Sequence, residues 1–311
     1  MTMRAPKSFA AALFALAAFP AAAALPVPER VSIPSLDRDA AGAAIAIPAL
    51  YFRPDVAPGT RVPLVIAVHG CGGMYSAAAS RAGQLSENFG AWTELLLRDG
   101  YAVLWPDSFA PRGTREICTV RIGDRTITTA TRRLDVLGAL AFAAQLPDVD
   151  RGRVALVGWS HGGSATLATI NAKDARVAAF RAVPNAPPFF VAAVAFYPGC
   201  AGPLRQGARW APGMPTSVHI GASDDWTPAA PCVELGKAMR ERNEPVTVTV
   251  HPDSYHGFDA PNGRVTVLKN VPNGVNPGQG VTRGPNPAAR AAAIDSVRAF
   301  LRERLAAPPA R

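Results

Sequence analysis

Apolar runs alternate with mixed polar segments along most of the chain. Five of the runs are almost continuously apolar, which is typical of strands that are buried on both faces of a parallel sheet. They cover residues 62–70, 101–107, 153–159, 189–199 and 215–222. A sixth run, residues 245–252, alternates Val with Thr and predicts a strand nearer the edge of the sheet.

Two earlier segments predict a different kind of strand. Residues 29–36 and 43–54 contain Pro34 and Pro48, respectively. Proline cannot donate a backbone hydrogen bond, so within sheets it favours edge strands. We therefore expect these segments to pair as an antiparallel entrance to the sheet.

Helical spacing appears between the predicted strands. Residues 86–100 carry Phe89, Trp92 and Leu96 on one helical face and end at Gly100. Further helices are predicted at residues 130–148, 161–172, 231–245 and 288–306. This alternation predicts an α/β protein with a mostly parallel central sheet and helices on both faces. Such sheets bind ligands at the carboxyl ends of their strands.

One long segment has neither the pattern of a strand nor that of a helix. Residues 262–287 are rich in Gly, Pro and Asn, which is typical of a surface loop. The helix predicted after this segment would return to the sheet. We therefore predict a single domain over residues 25–311, with a loop excursion near residues 260–287.

The first 24 residues resemble a targeting segment. Arg4 and Lys7 precede an apolar stretch that begins near Phe9 and ends in small residues at Ala24. This pattern predicts a signal peptide over residues 1–24 and export to the periplasm or the exterior. A membrane anchor is the weaker interpretation, because the stretch is short and rich in alanine. No later segment predicts stable insertion into a membrane.

Composition and charge narrow the classes of function. The chain of 311 residues is 49% hydrophobic, enough to bury a substantial core. Its formal net charge is +9, but the arginines are scattered rather than clustered with aromatic residues. This distribution argues against a nucleic-acid partner and favours solubility or attraction of acidic substrates.

The four cysteines are expected to form disulfides in an oxidising compartment. Four cysteines allow three pairings, and no CxxC spacing suggests zinc or a redox dithiol. We predict Cys71–Cys118 and Cys200–Cys232, because each pair would join loops at the same end of the sheet.

The stretch GWSHG at residues 158–162 predicts a nucleophile elbow centred on Ser160. A predicted strand precedes it and a predicted helix follows. The neighbouring glycines, Gly162 and Gly163, would let the strand and helix approach closely. The alternative is a strand that ends in a glycine-rich turn without chemistry.

A nucleophilic serine requires a base and an acid that orients it. Asp224 and Asp225 follow one predicted strand, and His256 lies in the loop after the next. The spacing G-x-x-D places Asp224 in the triad and leaves Asp225 as a turn residue or helix cap. His219 and His251 lie within strands and are predicted to be structural.

Two backbone N–H groups are needed to bind the oxyanion of such a reaction. The residue after the nucleophile, His161, should supply one. The glycine-rich sequence HGCGG at residues 69–73 should supply the other, from the N–H of Cys71. A simple tight turn is the alternative for this loop.

Five motifs occur in one order along the chain, namely VHGCGG, PDSFAPRG, GWSHGG, GASDDWTP and YHGFD. Together they resemble the dienelactone hydrolase family of α/β-hydrolases, over about residues 30–305. Dienelactone hydrolase itself uses a cysteine nucleophile, whereas this chain has Ser160, which favours ordinary ester hydrolysis over opening of dienelactones. The resemblance also implies that Arg112 lies near the pocket. Arg112 would either meet a substrate carboxylate or tie its loop to backbone carbonyls.

These patterns lead us to expect an exported serine hydrolase of the α/β-hydrolase fold. It would cleave a small-molecule carboxylic ester or lactone through an acyl-enzyme intermediate, without a metal or organic cofactor. A peptidase, or an esterase acting on polyesters or polysaccharides, is the alternative on the same fold. A binding protein without catalysis is disfavoured, because Ser160, Asp224 and His256 are all present.

Overall fold

An eight-stranded sheet runs through the protein, which we describe from a computed structural model covering residues 25–306. The predicted signal peptide, residues 1–24, lies outside the described residues. The strand order is β1-β2-β4-β3-β5-β6-β7-β8. The strands are β1 (Glu29–Arg38), β2 (Ala44–Phe52), β3 (Val62–Val68), β4 (Ala102–Pro106), β5 (Val149–Trp159), β6 (Ala192–Phe196), β7 (Thr216–Gly221) and β8 (Val246–His251).

The pairing of the strands agrees with the hydrophobic pattern. β1 pairs with β2 and β2 with β4 in antiparallel fashion, whereas all other neighbours in the sheet are parallel. Every residue of β3, β4, β6 and β7 is buried, as their continuous apolarity predicted. The prediction of an α/β fold with a mostly parallel sheet is confirmed.

Helices cover both faces of the sheet. They are α1 (Glu87–Arg98), α2 (Thr129–Ala143), α3 (His161–Thr169), α4 (Ala175–Ala182), α5 (Ala201–Gln206), α6 (Ala229–Glu241) and α7 (Pro287–Arg304). Right-handed connections place α1 on one face and α2, α3 and α6 on the other. Arg298 of α7 bonds to Asp99 at the end of α1, at 2.7 Å, so α7 shares the face of α1. Within residues 25–306, no helix combines the length and apolarity needed to span a membrane.

Three features of the fold were not predicted. α4 was missed because its sequence has no clear apolar face. It buries only Val177, and Asp174 caps its first turn. α5 is only six residues long. Within the segment predicted as a surface loop, β9 (Thr266–Leu268) and β10 (Val281–Arg283) form a short antiparallel pair. Segments of this length carry too few residues for a periodic signal.

Aromatic side chains fill the space between the sheet and α1. Trp159 at the end of β5 stacks on Phe196 at the end of β6, with ring centroids 5.5 Å apart. Trp92 of α1 lies 5.1 Å from Phe196, and Phe89 lies 5.4 Å from Trp159. Full burial of one such side chain stabilises the fold by roughly 2–3 kcal/mol. This cluster therefore fixes the ends of the two central strands.

Two histidines predicted to be structural lie buried between β7 and β8. His219 Nδ1 lies 3.2 Å from His251 Nε2, and His219 Nε2 lies 3.0 Å from the hydroxyl of Ser217. Burial, and then the charge of His251, lowers the pKa of His219 to about 3. The ring of His219 is therefore neutral at physiological pH.

The pH dependence of stability tests this neutral state of His219. Below about pH 6.5 the unfolded chain binds a proton at this residue that the folded protein does not bind. The stabilisation that depends on neutral His219 is therefore fully present above that pH. As the pH falls toward 3, this stabilisation is lost, and the free energy of unfolding decreases by up to about 1.4 kcal/mol per pH unit. In urea denaturation between pH 7.5 and pH 4, we expect a steeper loss for the unaltered protein than for His219→Asn. Parallel curves for the two proteins would contradict the prediction.

Candidate active site

The backbone at Ser160 has the strained conformation of a nucleophile elbow. Its φ is 55° and its ψ is −119°, between the end of β5 and the start of α3. Such a conformation costs roughly 1–3 kcal/mol. It is held by a hydrogen bond from the Ser160 N–H to the Phe196 carbonyl, at 2.9 Å. A side chain at Gly162 would collide with the carbonyl of Val68, so glycine is required where the turn meets β3.

The structure brings the three predicted triad residues together. His256 Nε2 lies 2.8 Å from Ser160 Oγ, and His256 Nδ1 lies 2.8 Å from Asp224 Oδ2. Asp224 and His256 are both buried. The other oxygen of Asp224 accepts hydrogen bonds from the N–H groups of Trp226, at 2.9 Å, and Thr227, at 2.8 Å. These contacts fix the carboxylate beneath the imidazole.

The chemistry of the carboxylate sets the tautomer of His256. An ionised carboxylate can only accept hydrogen bonds, so Nδ1 of His256 must donate to Asp224. In the neutral imidazole Nε2 is then the acceptor, and it faces the hydroxyl of Ser160. The arrangement can therefore remove a proton from Ser160.

The predicted oxyanion loop lies against the nucleophile. A Cβ placed on Gly70 would be 3.4 Å from the Cβ of Ser160. Among residues 25–306, the N–H groups of Cys71 and His161 have no backbone acceptor. They are thus available to an oxygen atom of a ligand. The Cys71 carbonyl accepts a hydrogen bond from the Ile117 N–H at 2.8 Å, which ties the loop to the segment after β4.

Both predicted disulfides are present. Cys71 is bonded to Cys118, and Cys200 is bonded to Cys232. The first covalently joins the oxyanion loop to the segment between β4 and α2. The second joins the end of the β6 region to α6. Both therefore brace the end of the sheet that carries Ser160.

The side chain of Arg112, for which the resemblance allowed a substrate-binding or a structural role, is bound by protein groups. Its Nη1 and Nη2 atoms each donate to the carboxylate of Asp135 at 2.9 Å. Nη2 also donates to Asp37 at 2.8 Å, and Nη1 to the carbonyl of Ser108 at 2.7 Å. Two carboxylates already neutralise the guanidinium, and these contacts join β1, α2 and the loop after β4. They favour the structural role of Arg112 over contact with a substrate carboxylate.

A buried carboxylate, Asp259, was not singled out by the sequence analysis. Its Oδ2 accepts hydrogen bonds from the indoles of Trp92, at 2.8 Å, and Trp159, at 2.9 Å. Oδ2 also accepts from the Asn88 amide at 3.0 Å, and Oδ1 accepts from the Tyr197 hydroxyl at 2.8 Å. Asp259 lies three residues after His256, so the loop of the base is attached to the ends of β5 and β6. The motif YHGFD contained this residue, but only the fold shows its four donors.

Asp225 also has a role that the sequence did not reveal. Of its two predicted positions, a turn or a helix cap, it takes the turn after β7, since Pro228 is the N-cap of α6. The carboxylate of Asp225 accepts hydrogen bonds from the N–H and the hydroxyl of Thr282, both at 2.7 Å. It thereby fastens β10 beside the triad.

Asn273 connects the same segment to a second part of the chain. Its amide donates to the Val120 carbonyl at 2.8 Å and accepts from the Ile122 N–H at 2.9 Å. The segment predicted as a surface loop is therefore bonded to the segment between β4 and α2.

Apolar side chains also pack beside His256. The ring of Trp226 lies 4.6 Å from that of His256. Trp226 also packs against a small apolar cluster, which includes Phe109 and the Cys71–Cys118 pair. Apolar side chains therefore lie next to the triad residues at the carboxyl end of the sheet.

Comparisons with known proteins identify the family of the chain and agree with its fold. The sequence model of the Dienelactone hydrolase family matches residues 47–304. A Klebsiella pneumoniae structure, described provisionally as a dienelactone hydrolase, has a TM-score of 0.62 at 18% identity. That alignment covers 88% of this chain and 98% of the Klebsiella chain.

Two further solved structures are similar at the level of the fold. Esterase 2 of Thermogutta terrifontis, phosphorylated by paraoxon, has a TM-score of 0.60 at 18% identity, over 91% of this chain and 97% of its own. The acylaminoacyl peptidase of Pyrococcus horikoshii has a TM-score of 0.60 at 15% identity, over 89% of this chain and 41% of its own. No curated protein matches the chain.

Substitution of Asp259 tests whether its carboxylate holds the site together. Asp259→Ala would leave four buried donors without an acceptor, so we expect the free energy of unfolding to fall by about 3–5 kcal/mol. Asp259→Asn should lose less, because its amide oxygen still accepts and its amide nitrogen can donate to the Tyr197 oxygen. Urea denaturation followed by tryptophan fluorescence measures both. The control is Asp55→Ala, at an exposed position. Equal stability of Asp259→Ala and the control would refute this role.

Proposed function

Because the chain belongs to the dienelactone hydrolase family, we propose that it is a serine hydrolase that cleaves carboxylic esters through an acyl-enzyme intermediate. The observation that carries the proposal is the continuous hydrogen-bond path from Asp224 through His256 to Ser160. Esters rather than dienelactones are the proposed substrates, because the nucleophile is an alcohol where the family's namesake has a thiol.

The first half of the reaction acylates the serine. Ser160 Oγ attacks the ester carbonyl while His256 Nε2 takes its proton. Asp224, which already accepts a hydrogen bond from Nδ1, stabilises the imidazolium that forms. The imidazolium then protonates the leaving alcohol. Ser160 keeps the acyl group.

The second half releases the acid by the same groups. His256 removes a proton from water, which attacks the acyl carbonyl, and returns that proton to Ser160 Oγ. In both halves the negative oxygen lies near the N–H groups of Cys71 and His161. Donors that are fixed before the reaction typically contribute a factor of about 10²–10³ each. The Cys71–Cys118 disulfide supports the proposal because it holds one of these donors in place.

A peptidase on the same fold is the second candidate. The fold-level likeness to an acylaminoacyl peptidase favours including it. The same Ser160, Asp224 and His256 geometry would serve an amide substrate. A panel of p-nitrophenyl esters and peptide p-nitroanilides separates the two candidates, since we expect turnover of the esters only.

We also propose that the protein acts outside the cytoplasm. The two disulfides support this location, because disulfides persist in oxidising compartments. The sequence of residues 1–24, which predicts a signal peptide, supports it as well. Fractionation of cells that express the full chain would test it, with the mature form expected outside the cytoplasm.

Removal of the nucleophile is the direct test of the proposed chemistry. We expect Ser160→Ala to lower kcat on p-nitrophenyl butyrate by at least about 10⁴-fold. A fluorophosphonate probe should label the unaltered protein and leave Ser160→Ala unlabelled. Ser80→Ala, at an exposed serine, serves as the matched control and should keep full activity. Hydrolysis by Ser160→Ala at the unaltered rate would rule out the mechanism.

A further inference from the structure

Arg132 is a buried cation with an unusual partner. It lies in α2 with no exposed surface, and its Nη1 is 3.1 Å from Nδ1 of His161. Its Nε and Nη2 atoms have no hydrogen-bond partner among residues 25–306. No carboxylate in that part of the chain lies within 4 Å of it, although the ring of Phe109 lies 5.1 Å away. The one directed bond that the guanidinium makes is therefore to His161.

This bond determines which nitrogen of His161 carries the proton. A guanidinium can only donate hydrogen bonds, so Nδ1 of His161 must be the acceptor. Burial, and then the charges of Arg132 and Arg125, lowers the pKa of His161 well below 6.5. The ring is thus neutral and carries its proton on Nε2. Arg132 converts the side chain of His161 into a hydrogen-bond donor of fixed direction.

The position of His161 indicates where that donor lies. In the sheet, β3 and β4 flank β5 on one side, and β6, β7 and β8 flank it on the other. Asp224 and His256 follow β7 and β8, whereas Arg132 follows β4. His161 therefore reaches away from His256, toward the side of the oxyanion loop. Its side chain is partly exposed, and Nε2 has no protein partner among the described residues.

We propose that Nε2 of His161 donates a hydrogen bond to an oxygen atom in the acyl part of the substrate, and that Arg132 is the positioning residue for this donor. The proposal rests on the proposed ester hydrolysis and adds a preference to it. The preferred acyl groups carry an ether, hydroxyl or carbonyl oxygen close to the scissile ester. This role is distinct from the oxyanion contact, which uses the backbone N–H of His161 and is present with any side chain.

Two nearly isosteric esters test the preference. p-Nitrophenyl methoxyacetate and p-nitrophenyl butyrate differ by an ether oxygen in place of a methylene. The ratio of their kcat/KM values should fall by about 3- to 10-fold in His161→Leu, which is the worth of one neutral hydrogen bond. Their different intrinsic reactivities cancel when the ratio is compared between enzymes. His161→Gln, whose amide can donate from a similar position, should keep most of the preference.

The role of Arg132 has its own readout, which does not depend on activity. Nitrogen-15 NMR of labelled histidine, assigned with His161→Leu, should show His161 in the Nε2–H tautomer. Arg132→Met, which keeps the length of the side chain but has no donor, should produce a mixture of tautomers. It should also reduce the preference for the methoxyacetate.

The outcomes separate this inference from the proposed function. An unchanged ratio in His161→Leu, with both esters still hydrolysed, would overturn the acyl contact and leave the esterase intact. An Nδ1–H tautomer in the unaltered protein would overturn the role of Arg132. Failure of the unaltered protein to hydrolyse either ester would overturn the proposed function and the acyl contact with it. The tautomer would remain measurable in that case.

Discussion

The buried carboxylate of Asp259 is the interaction on which the catalytic end of the sheet depends. It accepts hydrogen bonds from Trp92 in α1, from Trp159 at the end of β5 and from Tyr197 just after β6. Burial, with Asp259 beside it, raises the pKa of Tyr197 well above 10, so its hydroxyl remains a donor. Each donor belongs to a different part of the fold. One acceptor thus sets the distance between the strand that ends at the nucleophile and the loop that carries His256.

A rigid frame of this kind is needed because the backbone of Ser160, the proposed nucleophile, is strained. Ser160 is held with a positive φ between a strand and a helix that approach each other without side chains at the contact. The stacked rings of Trp159 and Phe196 lie directly beneath. The energy that packing and the Asp259 network supply offsets the strain at Ser160. The Ser160 hydroxyl lies at the carboxyl end of the sheet, 2.8 Å from Nε2 of His256.

The two flanks of Ser160 differ in their chemistry. On the side of His256, carboxylates accept hydrogen bonds and orient the base, while Trp226 contributes an apolar wall. On the side of His161, the Cys71–Cys118 disulfide fixes the oxyanion loop, and Arg132 supplies a buried positive charge. In the proposed reaction, charge that develops on a substrate oxygen would be stabilised on this second side, and the proton would move on the first. The asymmetry follows from the strand order, since β3 and β4 lie on one side of β5 and β6–β8 on the other.

The sequence by itself determined the sheet, its principal helices and the candidates Ser160, Asp224 and His256. These depend on local patterns, namely continuous apolarity, helical spacing and short motifs at strand ends. It also determined both disulfides, because strand ends place the cysteines in neighbouring loops. Only the tertiary structure decided which other residues support these elements and the candidate site. Arg112 binds Asp37 and Asp135, and Asp259 gathers donors that are up to 171 residues away in sequence. A buried polar group is satisfied by whatever the fold brings to it, and no local pattern encodes that partner.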